Sequence, residues 1–366
     1  MKKRSASAFR RTINKTPHLK SRILWLYDTL HKYLPFIVGT LTRSPAYLKN
    51  RMNSKVVAKP GTLSFEGGVF NPGALLVDDC HVLLLAKSQV LPFFKAVGKK
   101  RELYLKGSPV AFLVDTSSLQ TIKSWTIPKM VGFPQEEEYA IEDLRLFKWG
   151  DHKMINHTII TKQRVQGYLS IKSTSSALSE LDDRDQTLKF CALPKIDFER
   201  QEFEKNWVYA EKEEQLLLWY SVNPYRVLAL QDEENFNFKT RIHQQLSGKI
   251  TDPGGFGTMV SFSTNPIDFD EKHWLVIIHQ FKKKITGRWY VHWAVLIDKA
   301  TVLPVQITSK PIFTGAGARG RVPGCRYISS VVKVRDELLF FAGEGDVYVT
   351  VTKKKIIEIE SLFTPI

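Results

Sequence analysis

The sequence predicts an all-β chain: a five-bladed β-propeller behind a basic, partly helical N-terminal extension. Three observations predict it. Positive charge is concentrated at one end of the chain, short apolar runs separated by turn residues fill the rest, and five of those runs recur at similar spacing. At 366 residues the chain can hold one large domain or two ordinary ones. Its 43% hydrophobic and 11% aromatic content is that of a globular protein, not a disordered one.

The extension comes first. Residues 1–60 hold 14 Lys and Arg against a single acid, Asp28, whereas the other 306 residues hold 39 basic and 36 acidic side chains. The net charge of +16 is therefore a property of the N-terminal segment, and a basic body that tracks nucleic acid is not indicated. We divide the chain into an extension, 1–58, and a β-propeller domain, 59–366. In "SRILWLYDTLHKYLPFIVGTL" (Ser21–Leu41), helical spacing puts Ile23, Leu26, Leu30, Leu34 and Ile37 on one face and Asp28 and Lys32 on the other. Asp28, His31, Lys32 and Pro35 interrupt the stretch and argue against a membrane span. Two readings stand: a helix packed on the main domain, or contact of residues 1–55 with an anionic membrane surface. No small-residue cleavage site follows a clean apolar core, so a signal peptide is a poor description.

The three cysteines, Cys80, Cys191 and Cys325, are an odd number and far apart. They read as free thiols in a reducing compartment, the cytoplasm, with peripheral membrane contact as the variant. No metal-ligand spacing occurs, so no metal and no cofactor are expected.

After Pro60 the five similar runs are "HVLLLAK" (81–87), "INHTIIT" (155–161), "QLLLWYS" (215–221), "HWLVIIH" (273–279) and "ELLFFAG" (337–343). Their centres are 74, 60, 58 and 64 residues apart. Each run follows turn residues and ends at a polar residue or glycine, as the innermost strands of a propeller would. An array of β-sandwiches is the competing fold; it explains the strands but not the even spacing.

"AIEDLRLF" (Ala140–Phe147) reads as a strand, yet Glu142, Asp143 and Arg145 crowd three charges into it. Strand alternation predicts Glu142 and Leu144 on one side, Asp143 and Arg145 on the other. Such a pair places an acid over a sugar oxygen with a guanidinium to hold it or a substrate anion, or else it is a structural ion pair between blades.

Other stretches, in order, sharpen this: "FEGGVFNPGA" (65–74), "FEKNWVY" (203–209), "DPGGFGTMVSF" (252–262), and "GCRYISSVV" followed by "LLFFAGEGDVYVTV". Together with Glu142-Asp143-Leu144-Arg145 they resemble the β-mannoside phosphorylase family (glycoside hydrolase family 130) and its mannosyltransferase relatives, from about Phe65 to Ile357. The resemblance implies an inverting enzyme acting on mannosides, with Asp143 as the general acid, its proton passing through a sugar hydroxyl. It implies anion or sugar contacts for Arg145, Lys205 and His279, and hydrogen bonds to sugar hydroxyls from Asn71 and Asp346. Glu142, Lys87, Asn206 and Arg226 fall at or beside the same motif positions. Tyr220 and Tyr225 are candidate sugar-stacking surfaces, with core packing as the other use of such residues.

The chain departs from the family pattern at three points. Leu144 replaces a proline, Lys87 stands where an arginine is usual, and Trp219-Tyr220-Ser221 ends a strand that would carry the phosphate-facing arginine, unless Arg226 reaches back. Lysine offers a point charge and not a fork. These departures favour a larger phosphorylated donor, a sugar phosphate or nucleotide sugar, over free phosphate, with a glycan acceptor. The alternatives are a phosphorylase, a hydrolase using Glu66, Glu204 or Glu344 to activate water, and a non-catalytic glycan-binding propeller.

Overall fold

The computed structural model describes residues 52–59, 67–89, 94–97, 100–103, 108–127, 130–133, 139–165, 168–182, 185–201, 204–284, 287–320, 322 and 324–366. The helix expected within Ser21–Leu41 and the candidate Glu66 lie outside these residues.

Among the described residues the strands form five sheets of four to seven strands and one separate two-stranded ribbon. The first sheet runs Gly68–Asp78, His81–Gln89, Pro109–Asp115, Thr121–Thr126. The second runs Tyr139–Trp149, His152–Val165, Tyr168–Asp182, Thr187–Ala192, with Met130–Val131 on its edge. The third runs Val208–Lys212, Gln215–Val222, Tyr225–Asp232, Asn237–Gln244, edged by Lys195–Ile196. The main path of the fourth runs Ser261–Phe262, His273–Lys284, Gly287–Asp298, Pro304–Thr308 and the C-terminal Phe363–Pro365. The fifth runs Arg326–Val334, Glu337–Glu344, Tyr348–Lys355 and is completed by Ser54–Ala58 from the other end of the chain. The ribbon pairs Phe94–Val97 with Lys100–Leu103.

This is a β-propeller arrangement. Five apolar clusters hold it together, each between two successive sheets, the last between the fifth sheet and the first. Strand alternation explains how one run feeds two clusters. Val82, Leu84 and Ala86 pack toward the fifth sheet, while Leu83 and Leu85 pack toward the second. Leu217 and Trp219 likewise face the fourth sheet, and Leu216 and Leu218 the second.

This corrects one expectation. The five similar apolar runs are the second strands of their sheets, not the innermost ones. A second strand is covered by a sheet on each face and paired along both edges, so it becomes continuously apolar. The innermost strands carry Asn71, Glu142, Asp143 and Ser261 of the central pocket, which dilutes their hydrophobicity.

Tyr225, a candidate stacking residue, belongs to the core. It is 1% exposed, receives a hydrogen bond from Trp219 Nε1 at 2.8 Å and donates one to the Val302 carbonyl at 2.7 Å. Among the described residues no helix is long and apolar enough to cross a membrane.

Candidate active site

A cavity of about 220 Å³ opens where the innermost strands converge. Its polar lining includes Asn71, Glu142, Asp143, Lys205, Asn206, His279 and Asp346, seven of the residues singled out in the sequence. Aromatic walls come from Phe70, Phe281, Tyr290 and Tyr327, and Met259, 73% exposed, stands at the lip.

Four of these polar residues share a backbone feature. Asn71 (φ 51°), Asp143 (φ 53°), Asn206 (φ 67°) and Asp346 (φ 57°) are all left-handed. Asn and Asp tolerate that region best among non-glycine residues, but it is still strained, and such strain persists where the surroundings over-determine it. Two of the four sit in β-bulges. Pairing of the first strand with the second shifts between Phe70 and Gly73, and pairing of Tyr139–Trp149 with its neighbour shifts across Glu142–Arg145.

The second bulge corrects the expected alternation at "EDLR". An extra residue re-aims the side chains, as bulges do. Glu142 and Asp143 both line the cavity, Leu144 is buried among Leu83, Leu85 and Ile155, and Arg145 turns inward, 1% exposed. Glycine permits the bulged segments to approach. A Cβ on Gly73 would lie 2.8 Å from the Leu144 carbonyl oxygen, and one on Gly343 would lie 2.3 Å from Asn71 Oδ1.

The hydrogen bonds define each role. Asn71 Nδ2 donates to Asp143 Oδ1 at 2.9 Å, so the carboxylate is held by a neutral amide. Lys87 is matched instead to Glu142 in a short ion pair and lies over the Phe70 ring at 5.7 Å. Arg145 is a buried hub. Its Nε donates to the Ser263 carbonyl (2.7 Å), Nη1 to the Asp143 carbonyl (3.1 Å), and Nη2 to the Tyr327 hydroxyl (2.6 Å) and to Asn206 Oδ1 (3.1 Å). It positions the site from behind, and Lys205 is the one Lys or Arg among the described cavity-lining residues. The buried Cys325 thiol, also in the lining, donates to Asp346 Oδ1 at 3.8 Å, and burial with that carboxylate pushes its pKa well up.

Two sequence candidates lie elsewhere. Tyr220 donates to Glu204 Oε1 at 2.6 Å and packs edge-on against Phe198. Arg226 lies 3.9 Å from the Phe198 ring centre and bonds His243. Both belong to an aromatic–cation cluster outside the cavity. Glu204 itself is tied to Arg200 and Tyr220. Glu344 is fully buried between Arg326 (2.7 Å) and Arg319 (3.2 Å). Burial raises its pKa, but the two guanidinium groups outweigh that and keep it below the ordinary value.

Sequence reasoning missed Tyr290, Tyr327, Ser261 and Ser263. Tyr327 bridges Arg145 and Asn206, its hydroxyl donating to Asn206 Oδ1 at 3.1 Å, and burial pushes its pKa up to about 12. The segment "GCRYISSVV" contains it, but nothing local distinguishes this Tyr from a core tyrosine. Only the fold brings it to Arg145, 182 residues away in sequence.

His279 hydrogen-bonds Ser263 Oγ through Nδ1 at 2.8 Å. Burial first, then Arg145 and Lys205, drives its pKa down to about 3, so at neutral pH it is an uncharged hydrogen-bonding group. Burial also lowers His157 to about 3 and holds His292 well below its usual value. These three take up protons only on unfolding. Their stabilising contribution is full above about pH 6.5 and is lost as pH falls toward their folded values. Urea denaturation at stepped pH is expected to show stability dropping from pH 6.5 to 4, at up to about 4 kcal/mol per pH unit if all three titrate together. A flat profile across that window would remove the buried-histidine account.

No protein-family model matches the chain, and no curated protein matches its sequence. Solved structures do match. A β-1,2-mannobiose phosphorylase from Listeria innocua, in complex with β-1,2-mannobiose, superposes with a TM-score of 0.55 at 17% identity, covering 88% of this chain and 95% of that one. A GDP-Man-dependent mannosyltransferase from Leishmania mexicana gives 0.55 at 8% identity, with 86% and 94% covered. A mannose phosphorylase from Leishmania mexicana, solved with a phosphate ion, gives 0.54 at 12% identity, with 88% and 95% covered. At such identities the likeness establishes a shared fold.

Proposed function

We propose that the chain is a carbohydrate-active enzyme that transfers a mannosyl group, with inversion, from a phosphorylated donor to a glycan acceptor. We take its five large sheets as the blades of a propeller and residues 59–366, completed by the strand Ser54–Ala58, as the catalytic domain. The observation that carries the reading is the Asp143 carboxylate in a left-handed bulge, aimed into a sugar-sized cavity and held by Asn71. Lys87 is matched to Glu142, and the side chain bonded to the Asp143 carboxylate is the neutral amide of Asn71.

In the synthetic direction Asp143 removes the proton of an acceptor hydroxyl. That oxygen attacks the anomeric carbon, and the bond to the phosphate ester breaks on the opposite face. The leaving anion departs toward Lys205. Phe70, Tyr290 and Tyr327 offer flat surfaces for the ring, and Asn206, neutral His279 and Asp346 offer polar groups for its hydroxyls.

A transferase with a donor larger than phosphate is favoured over a phosphorylase by the scarcity of cations among the described residues that line the cavity. Arg145 is spent on internal bonds and Arg226 is outside the cavity, so Lys205 would face a free phosphate with a neutral histidine. A donor that carries a nucleoside brings contacts of its own. The fold match to both phosphorylases and a GDP-Man-dependent transferase is compatible with either direction. The hydrolase reading loses two of its bases, since Glu204 and Glu344 are locked in buried ion pairs.

Purified enzyme offered GDP-mannose and mannose 1-phosphate in parallel, with mixed sugar acceptors, separates these. Transfer from GDP-mannose alone is the expected result. Phosphate release from mannose 1-phosphate would make the chain a phosphorylase. Silence with both would direct attention to another sugar or to glycan binding alone.

A further inference from the structure

Asp346 reaches the cavity from the connection Gly345-Asp346-Val347, which joins Glu337–Glu344 to Tyr348–Lys355 in the fifth sheet. Gly345 (φ 58°) and Asp346 (φ 57°) are left-handed in succession. Glycine adopts that region freely. An aspartate does so at a cost and stays there only where its surroundings hold it. Among the other left-handed cavity residues, Asn71 donates to Asp143, and Arg145 ties the Asp143 carbonyl to Asn206. Asp346 stands on a second framework.

That framework is centred on Glu344, the residue from which the connection starts. Its Oε1 accepts from Arg326 Nε (2.8 Å) and Nη2 (2.7 Å) and from Thr350 Oγ1 (3.1 Å). Its Oε2 accepts from the Arg319 backbone N–H (2.9 Å) and from Arg319 Nη1 (3.2 Å). The same guanidinium continues to Ser54, 265 residues earlier in the chain. Nη1 donates to Ser54 Oγ (2.7 Å) and Nη2 to the Ser54 carbonyl (3.1 Å). Ser54 opens the strand Ser54–Ala58 that completes the fifth sheet.

The Arg319 backbone also lies against the connection, where a Cβ on Gly345 would stand 2.2 Å from the Arg319 carbonyl oxygen. On the other side the Gly345 N–H donates to the Cys325 carbonyl at 2.7 Å, and the Cys325 thiol meets Asp346 Oδ1. Stability alone is a weak account of this network. Withdrawing a carboxylate and two guanidinium groups from water costs much of what their attraction returns. What directed, charge-assisted bonds supply is one geometry, and a left-handed aspartate needs one.

We propose that Arg319, anchored on Ser54, is a positioning residue for Asp346, so that the strand Ser54–Ala58 sets how well the cavity holds a sugar. The sugar part rests on the reading of the cavity as a glycosyl site. Arg319 itself is outside the cavity lining and touches no substrate.

The test uses the full chain with Cys80→Ser and Cys191→Ser, which leaves Cys325 as its one thiol. Two quantities are measured. One is KM and kcat with GDP-mannose and mixed sugar acceptors. The other is the rate at which iodoacetamide alkylates Cys325, followed by intact mass. Burial and the Asp346 carboxylate hold this thiol protonated, so moving the carboxylate away raises its thiolate fraction. Arg319→Met is expected to raise KM by at least about tenfold with kcat within about threefold, and to speed alkylation at least about tenfold. Ser54→Ala, which keeps the carbonyl contact, should move both the same way by about two- to threefold, and Arg319→Lys should fall between wild type and Arg319→Met. Tyr225→Phe, which loses buried hydrogen bonds between the third and fourth sheets, is the control for general loosening and should move neither.

Wild-type KM and thiol rate in Arg319→Met would overturn the proposal, as would equal changes in Tyr225→Phe. In an active enzyme, either change without the other would overturn it too. If wild type transfers no sugar, the glycosyl reading fails, and the thiol rates of Arg319→Met and Tyr225→Phe still decide whether Arg319 positions Asp346.

Discussion

Asp143→Asn is expected to lower kcat for sugar transfer by about 10³-fold with little change in KM. The amide has the shape of the carboxylate and can still accept the hydrogen bond from Asn71 Nδ2, so the bulge and its left-handed backbone are kept. What it cannot do is take or give the proton of the reacting oxygen. General acid–base contributions of this kind are worth about 10²–10⁴ in rate. A loss in kcat alone distinguishes a chemical role from a binding one, since a lost sugar contact would raise KM first. Single-turnover kinetics, with circular dichroism to check the fold, provides the measurement. A variant within tenfold of wild type would return Asp143 to the status of a structural carboxylate and strengthen the non-catalytic, glycan-binding reading.

The propeller was legible because its cause is simple. A strand covered on both faces and paired on both edges must be apolar throughout, and such runs recurring at 58–74-residue intervals announce a repeated sheet unit. The same physics misled the assignment of strand order. The innermost strands carry Asn71, Glu142 and Asp143, so they look less like core than the second strands do. At the site, side chains that reach the cavity from short motifs in bulges or turns are legible in the sequence: Asn71-Pro72-Gly73, Glu142-Asp143, Lys205-Asn206 and Gly345-Asp346. Those motifs combine an Asn or Asp with a local backbone demand. Tyr220 and Arg226 carry the right chemistry, but the strands Gln215–Val222 and Tyr225–Asp232 turn them toward Glu204 and Phe198. Strand alternation also fails at the Glu142–Arg145 bulge, because a bulge is set by packing against Gly73 and not by local pattern.

That bulge depends on Arg145, and removing the guanidinium is the most informative structural test of the site. Arg145→Met is expected to lower the free energy of unfolding by about 2–4 kcal/mol, as urea denaturation would read it. The methionine fills similar volume, so the loss reports polar groups and not a cavity. The Ser263 and Asp143 carbonyls lose their side-chain donor inside the protein, and each buried group left unsatisfied costs about 1–3 kcal/mol. Asn206 keeps a partner, because the Tyr327 hydroxyl still donates to it. Arg145→Lys is expected to recover only part of the loss. One ammonium cannot reproduce a planar fork that reaches Ser263, Asp143, Asn206 and Tyr327 at once. Activity should fall with both variants by tenfold or more, since small misplacements of a catalytic group are costly. The Lys variant should recover stability more than rate, because a point charge satisfies a carbonyl but does not fix the angle of the Asp143 backbone. If Arg145→Met unfolded at the wild-type urea concentration and transferred sugar at the wild-type rate, the four bonds drawn from this guanidinium would not be what holds Asp143 in place.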